Sequence, residues 1–251
     1  MTQYGFFFDQ SRCTGCNGCL IACKQWHDIP PGPVKWMRIY QWEKGNFPDT
    51  RLHILAIQCY HCENPVCVKA CPHQALYKEE KYGAVLLDSD KCQGKRKCWQ
   101  ACPYGAPQYA GDEAGLKMSK CNMCLDRLQE GLKPICVLSC SMRALEFGPL
   151  EELTRKYGTL KTLQDLPRES ITRPAVVFRP ADAKKQIVPW DADRALQLWQ
   201  KRQPHEGKPL PDVFADKAAI SGVPEGIIGR NRLVLKAKTC AELMYYTTDD
   251  E

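Results

Sequence analysis

Residues 59–102 read Cys59-x2-Cys62-x4-Cys67-x3-Cys71-Pro72, then Cys92-x5-Cys98-x3-Cys102-Pro103. Each of these two cysteine runs closes on Cys-Pro after a three-residue gap. A second pair flanks them, Cys13-x2-Cys16-x2-Cys19-x3-Cys23 before and Cys121-x2-Cys124-x11-Cys136-x3-Cys140 after. Fifteen of the 16 cysteines in this 251-residue chain lie in the four runs, three of them quartets and one a triplet. Soft thiolates select iron–sulfur clusters, zinc or Cu(I). Zinc usually takes separated Cys-x2-Cys knuckles, two per tetrahedral ion. Here Cys13, Cys16 and Cys19 crowd together as three corners of a cubane would require, and the cysteine after x3 points to a neighbouring site. A disulfide framework is disfavoured: Met1 leads straight into Tyr4–Asp9 with no apolar signal segment, and cysteines two residues apart rarely bridge.

A run ending in x3-Cys-Pro is the signature of bacterial two-cluster ferredoxins, in which the last cysteine of one run ligates the cluster held mainly by the other. The second and third runs are neighbours and form an inner pair, leaving the first and fourth as an outer pair. This order assigns one site to Cys13, Cys16, Cys19 and Cys140 and another to Cys121, Cys124, Cys136 and Cys23. In the inner pair Cys59, Cys62, Cys67 and Cys102 hold a third site, and Cys92, Cys98 and Cys71 a fourth. The expected cofactors are three [4Fe–4S] clusters and, at the fourth site, a [3Fe–4S] cluster, the alternative there being a [4Fe–4S] cluster with a non-cysteine ligand. Cys-x2-Cys-x2-Cys spacing would place the missing thiolate at Lys95. Lys95 is also a candidate for tuning that site's potential, since a nearby cation favours the more negative reduced state. The plainer reading makes Lys95, Arg96 and Lys97 a solvated basic face. His61, His73 and His27 read as packing or hydrogen-bonding residues, Cys240 as a structural thiol, and Trp190 and Trp199 as packing residues.

The formal charge of +6 counts every cysteine as neutral. Four oxidised clusters with their thiolates contribute about −8, so the basic surplus reads as compensation for clusters and not as a nucleic-acid footprint. No apolar run approaches the roughly 20 residues of a membrane span. The expectation is a soluble or peripheral chain, cytoplasmic or exported with a signal-bearing partner.

Along the chain, residues 4–9, Leu52–Gln58, Ala84–Asp88 and Lys117–Ser119 read as strands or extended leads into the four runs. Residues 26–50, with Pro30, Pro31, Pro33 and Pro48, read as an exposed irregular loop. A repeat follows the closing cysteines: Cys71 precedes Pro-His-Gln-Ala-Leu-Tyr, Cys140 precedes Ser-Met-Arg-Ala-Leu-Glu-Phe, and Cys102 precedes Pro-Tyr-Gly-Ala-Pro-Gln-Tyr. Asp126–Glu130 suggests a short helix stopped by Gly131 and Pro134, and Pro149–Lys156 a helix with Glu151 and Glu152 in its first turn. Ala175–Phe178 suggests a strand, and Asp191–Arg202 a helix with an apolar stripe. The expected fold is α+β: two ferredoxin-like modules with loop insertions and a C-terminal extension. The outer module comprises residues 1–50 and 112–150, the inner one 51–111, and 151–251 the extension, which docks a partner.

Tyr4-Gly5-Phe6-Phe7, Ser11–Cys16, Ala101–Tyr109 and Arg143–Pro149 resemble the iron–sulfur subunit of the dimethyl sulfoxide reductase-type oxidoreductases over roughly residues 1–165. The resemblance implies four clusters in a line and an electron-transfer role without substrate chemistry. It also implies a large catalytic partner carrying a molybdenum or tungsten bis-pterin cofactor, often with a membrane anchor. This chain departs from the family at Lys95, where cysteine is usual, and at Ser141, where proline is usual. Its tail after about residue 185 is also longer. The competing readings are an electron-transfer subunit of a formate dehydrogenase or hydrogenase, and a free-standing polyferredoxin.

Overall fold

The computed structural model describes residues 2–45, 50–181 and 233–247, with positions 193, 194, 197 and 201 besides. Strand β1 (Tyr4–Asp9) leads into the first cysteine run and helix α1 (Gly18–Trp26). Strands β2 (Arg38–Lys44) and β3 (Arg51–Ile57) form a two-stranded sheet. Helix α2 (Val66–Lys69), strands β4 (Leu76–Lys78) and β5 (Val85–Leu87) and helix α3 (Lys97–Ala101) follow. Then come helices α4 (Leu125–Gln129) and α5 (Ile135–Leu138), strand β6 (Leu145–Pro149) and helix α6 (Leu150–Tyr157). A 3₁₀ turn (Glu169–Ile171), strand β7 (Val176–Arg179) and helix α7 (Cys240–Tyr246) complete the described elements.

The aromatic run of β1 is explained by its place at the centre of a three-stranded sheet, antiparallel to β6 and parallel to β7. Alternate side chains point to opposite faces. Phe7 packs with Leu150, Leu153, Ala175 and Val177 under α6, and its ring stacks on Tyr157 at 3.7 Å. Phe6 and Phe8 meet Phe147 and Phe178 on their own face. Burying each phenylalanine stabilises the layer by about 1.5–3 kcal/mol. Buried Asp9 closes the strand, pairing with Arg179 at 3.2 Å and accepting the Ser11 N–H at 3.0 Å, which aims the chain into Cys13. Elsewhere β4 and β5 pair antiparallel and pack with α2 and α3 around Leu76, Val85, Cys98, Tyr109 and Met118.

The strands and helices expected near residues 4–9, 52–58, 84–88, 126–130, 149–156 and 175–178 are all present within one or two residues. The loop expected over 26–50 is corrected. Arg38–Lys44 is a strand, with Met37, Arg38, Ile39, Tyr40 and Trp42 all buried. The first three prolines of that stretch end at Pro33, and Ile39, Tyr40 and Trp42 are strong strand formers once a buried surface receives them. Of the helix expected over Asp191–Arg202, Asp193, Arg194 and Gln197 are helical and Lys201 is in a turn; its other positions and the Pro- and Gly-rich stretch 203–230 lie outside the described residues.

The fold divides into two units, 1–41 with 53–182 and 233–251, and 42–52 with 183–232. All four cysteine runs belong to the first. Among the described residues no helix is long and apolar enough to cross a membrane.

Candidate metal centres

One turn recurs after three closing cysteines, and it explains the sequence repeat. The third residue on is left-handed in each case: Gln74 at φ 50°, Gly105 at φ 62° and Arg143 at φ 52°. The next N–H then turns back onto the sulfur. Ala75 donates to Cys71 Sγ at 3.3 Å and Ala144 to Cys140 Sγ at 3.2 Å, and the Ala106 amide faces Cys102. A left-handed residue other than glycine costs about 1–2 kcal/mol, and here it supplies a sulfur with a hydrogen-bond donor.

The first and third runs share a second device. Gly15 (φ 70°) and Asn17 (φ 59°) flank Cys16; Gly94 (φ 64°) and Arg96 (φ 56°) flank Lys95. A Cβ on Gly94 would lie 2.4 Å from the Leu116 carbonyl oxygen, so both the dihedral and the close approach require glycine. Asn17 and Arg96 then cap α1 and α3 in the same conformation. Lys95 thus occupies the backbone position of Cys16, and both residues are exposed.

The closing cysteines cross over between runs. Cys13, Cys16, Cys19 and Cys140 line one cavity, and Cys59, Cys62, Cys67 and Cys102 line another. Cys136 neighbours Cys23, Cys121 and Cys124, and Cys98 neighbours Cys71 and Cys92. The groups also adjoin one another: Cys136 feels Cys19, Cys121 feels Cys59, and Cys67 packs in the same cluster as Cys98. All 16 cysteines are free, so no disulfide staples the chain. Burial, with neighbouring thiols adding to it, pushes Cys19, Cys23 and Cys62 up to about 12. Thiolates packed in this way require a cationic core between them. Zn–S bonds of about 2.3 Å would hold four sulfurs within about 4 Å of one another. Among the described residues no three His, Cys, Asp or Glu side chains converge on a single-ion site.

Two polar contacts at sulfur were not legible in the sequence. His27 Nε2 lies 3.3 Å from Cys124 Sγ, its ring tilted against Trp36, and the Tyr109 hydroxyl lies 3.4 Å from Cys98 Sγ. With a metal bound the thiolates would only accept, so the imidazole N–H and the phenol O–H would be the donors, and each would favour the more negative reduced state. Burial lowers the pKa of His27, with the Asp126 and Asp28 carboxylates opposing it. His61 matches its sequence reading as a hydrogen-bonding residue: its Nδ1 accepts the Val85 N–H at 2.9 Å. Its Nε2, together with Arg38 Nε and the Tyr60 hydroxyl, is buried with no partner among the described residues. Arg38 and Tyr60 stand beside the Cys59–Cys102 group, and an acceptor-rich guest there would satisfy such orphaned donors. Sequence reading placed Arg96 on a solvated face, but its guanidinium stacks on Tyr109 at 4.3 Å and donates to the Gly111 carbonyl at 2.7 Å. Cys240 Sγ donates to the Tyr109 carbonyl at 3.8 Å, in keeping with a structural thiol. The thiol donor sets, the amides turned onto sulfur and the orphaned donors all fit iron–sulfur clusters.

Known proteins agree. Residues 50–150 and 12–75 each match a 4Fe–4S dicluster domain family. The sequence is 48% identical over 187 residues to a chain of the anaerobic dimethyl sulfoxide reductase of Escherichia coli, covering 71% of this protein and 89% of that one. It is 33% identical over 226 residues to a sulfite dehydrogenase subunit of Allochromatium vinosum, covering 80% and 93%. It is 38% identical over 152 residues to a thiosulfate reductase electron transfer subunit of Salmonella typhi, covering 60% and 78%. With cysteine groups built for clusters and likeness spanning most of its relatives' length, the protein belongs to the iron–sulfur, electron-transfer subunit family of dimethyl sulfoxide reductase-type enzymes.

Proposed function

We propose that this chain relays electrons through four clusters between a large molybdenum or tungsten bis-pterin subunit and an external donor or acceptor. The observation that carries the reading is the crossover of the closing cysteines, which joins the groups two by two, with Cys121 beside Cys59 linking the two pairs into one succession. The Cys13, Cys16, Cys19, Cys140 group comes first, then Cys23, Cys121, Cys124, Cys136. Cys59, Cys62, Cys67 and Cys102 follow, and Cys71, Cys92 and Cys98 come last. Bound clusters supply one-electron oxidation and reduction. The residues hold them, aim amides at their sulfurs and bury them from water. The first three sites are assigned [4Fe–4S] and the last [3Fe–4S], because exposed Lys95 stands in the backbone position of Cys16. β1, α1, α5 and β6 make the outer ferredoxin-like module, and α2, β4, β5 and α3 the inner one. The residues after 150 form an extension that returns β7 to the outer sheet.

A large partner is supported by an apolar face at the first group. Ile21 and Leu138, on the packed helices α1 and α5, are each 57% exposed, and 45%-exposed Met142 lines the cavity that Cys16 also lines. The relatives carry the names of single components of a reductase or dehydrogenase, that is, of members of assemblies. A membrane anchor that handles quinol is a second proposed partner.

Cys59→Ser in the intact complex tests the relay. Turnover driven by the natural donor is expected to fall at least about 100-fold, roughly 2.7 kcal/mol in barrier. Turnover driven by a small reduced dye that reaches the large subunit directly should hold. Equal loss with both donors, in a complex that still assembles, would contradict a relay role.

A further inference from the structure

Lys120 is 4% exposed. Its ammonium donates to the carbonyl of Val85 and, at 2.7 Å, to the carbonyl of Cys121. Among the described residues no carboxylate lies within ion-pair distance of it. Its side chain lines the cavity of Cys59, Cys62, Cys67 and Cys102, while its backbone precedes Cys121 of the next group. The two groups adjoin at this point, where the Cys121 thiol feels both Cys59 and Lys120, and Cys67 feels Lys120 as well. A buried cation without a counter-ion is costly. Two flanking anionic sites remove that cost.

We infer that Lys120 is the shared counter-ion of the two middle clusters, a positioning charge that raises the reduction potential of both at once. The inference rests on the four-cluster reading above. Reduction adds one electron, hence one negative charge, to a site beside Lys120 on either side, so the ammonium stabilises the reduced state of each. The end sites, around Cys13 and Cys92, lie beyond the groups that it touches. Arg38 and Lys78 face only the Cys59–Cys102 group, donating to the carbonyls of Tyr104 at 2.9 Å and Cys62 at 2.7 Å. Lys120 alone of these three cations acts on two groups.

The test is EPR-monitored redox titration of the purified complex carrying Lys120→Met, Lys120→Gln or Lys120→Arg, with iron content measured alongside. Gln keeps hydrogen-bond donors for the two carbonyls and loses the charge; Arg keeps the charge. In Met and Gln, two of the four reduction equilibria should each shift at least tenfold toward the oxidised state, about 59 mV for one electron. In Arg all four should stay within twofold of wild type. If Met and Gln lose iron while Arg retains it, the charge is needed to assemble the pair, and the inference stands. It is overturned if any number other than two shifts, if Arg shifts as far as Met, or if all three variants lose iron. Wild-type complex with fewer than four titrating sites would instead sink the four-cluster reading itself.

Discussion

Lys95→Cys is expected to convert the three-thiolate site to a four-thiolate one. Iron should rise from about 15 to about 16 per chain, and the EPR signal that a three-iron site gives when oxidised should disappear. The left-handed pair Gly94 and Arg96 repeats Gly15 and Asn17, so a cysteine at 95 would leave the backbone as Cys16 does. Lys95 is exposed, as Cys16 is, so the substitution needs no rearrangement of a packed core. Loss of the ammonium should also disfavour the reduced state of that site. Lys95→Ser serves as the control and should leave the iron content and signal in place. An unchanged signal in the cysteine variant would show that position 95 does not face the site.

Removing iron with a chelator under reducing conditions is expected to abolish cooperative unfolding of the chain, a loss of at least about 5 kcal/mol. Among the described residues the sheets outside the β6-β1-β7 layer have two strands each, and such pairs are marginal in water. Helices α2, α3, α4 and α5 have four or five residues, too short to persist alone. What they surround is cysteine: Cys19, Cys23, Cys59, Cys98, Cys102, Cys121, Cys124, Cys136 and Cys140 are all buried. Hydrogen exchange should show protection lost over 13–40 and 58–140, and lost last in β1, β7 and α6, which share an apolar core of their own, and in β6, which pairs with β1 and packs Phe147 on Phe6. An apo chain that melts cooperatively within a few degrees of the holo chain would contradict this.

The grouping of the thiols was legible because it is local. Spacing within a run fixes which sulfurs meet, and the crossover of Cys140 and Cys102 follows from the order of the runs. Strand β1 announced itself through three phenylalanines in sequence. Its parallel pairing with β7, some 170 residues on, left no such mark, because register is set by packing with α6 and not by any local pattern. Strand β2 was hidden by the prolines before it: Pro30, Pro31 and Pro33 signal a loop, while the burial that makes Arg38–Lys44 a strand is tertiary. The sulfur donors were hidden in the same way. His27 and Cys124 are 97 residues apart, and only the fold brings them to 3.3 Å. Lys120 carried one faint mark, a lysine directly before a ligand cysteine, which acquires meaning only once its burial between two groups is known.

The most direct measurement is iron, molybdenum and tungsten content of the complex purified anaerobically from its native source. Four clusters with three iron atoms at the Lys95 site, in a pterin-enzyme assembly, give about 15 irons and one molybdenum or tungsten per copy of this chain, once any iron of the partner is subtracted. About 8 irons or fewer, or full iron with neither heavy metal and no large subunit, would contradict the relay proposed here.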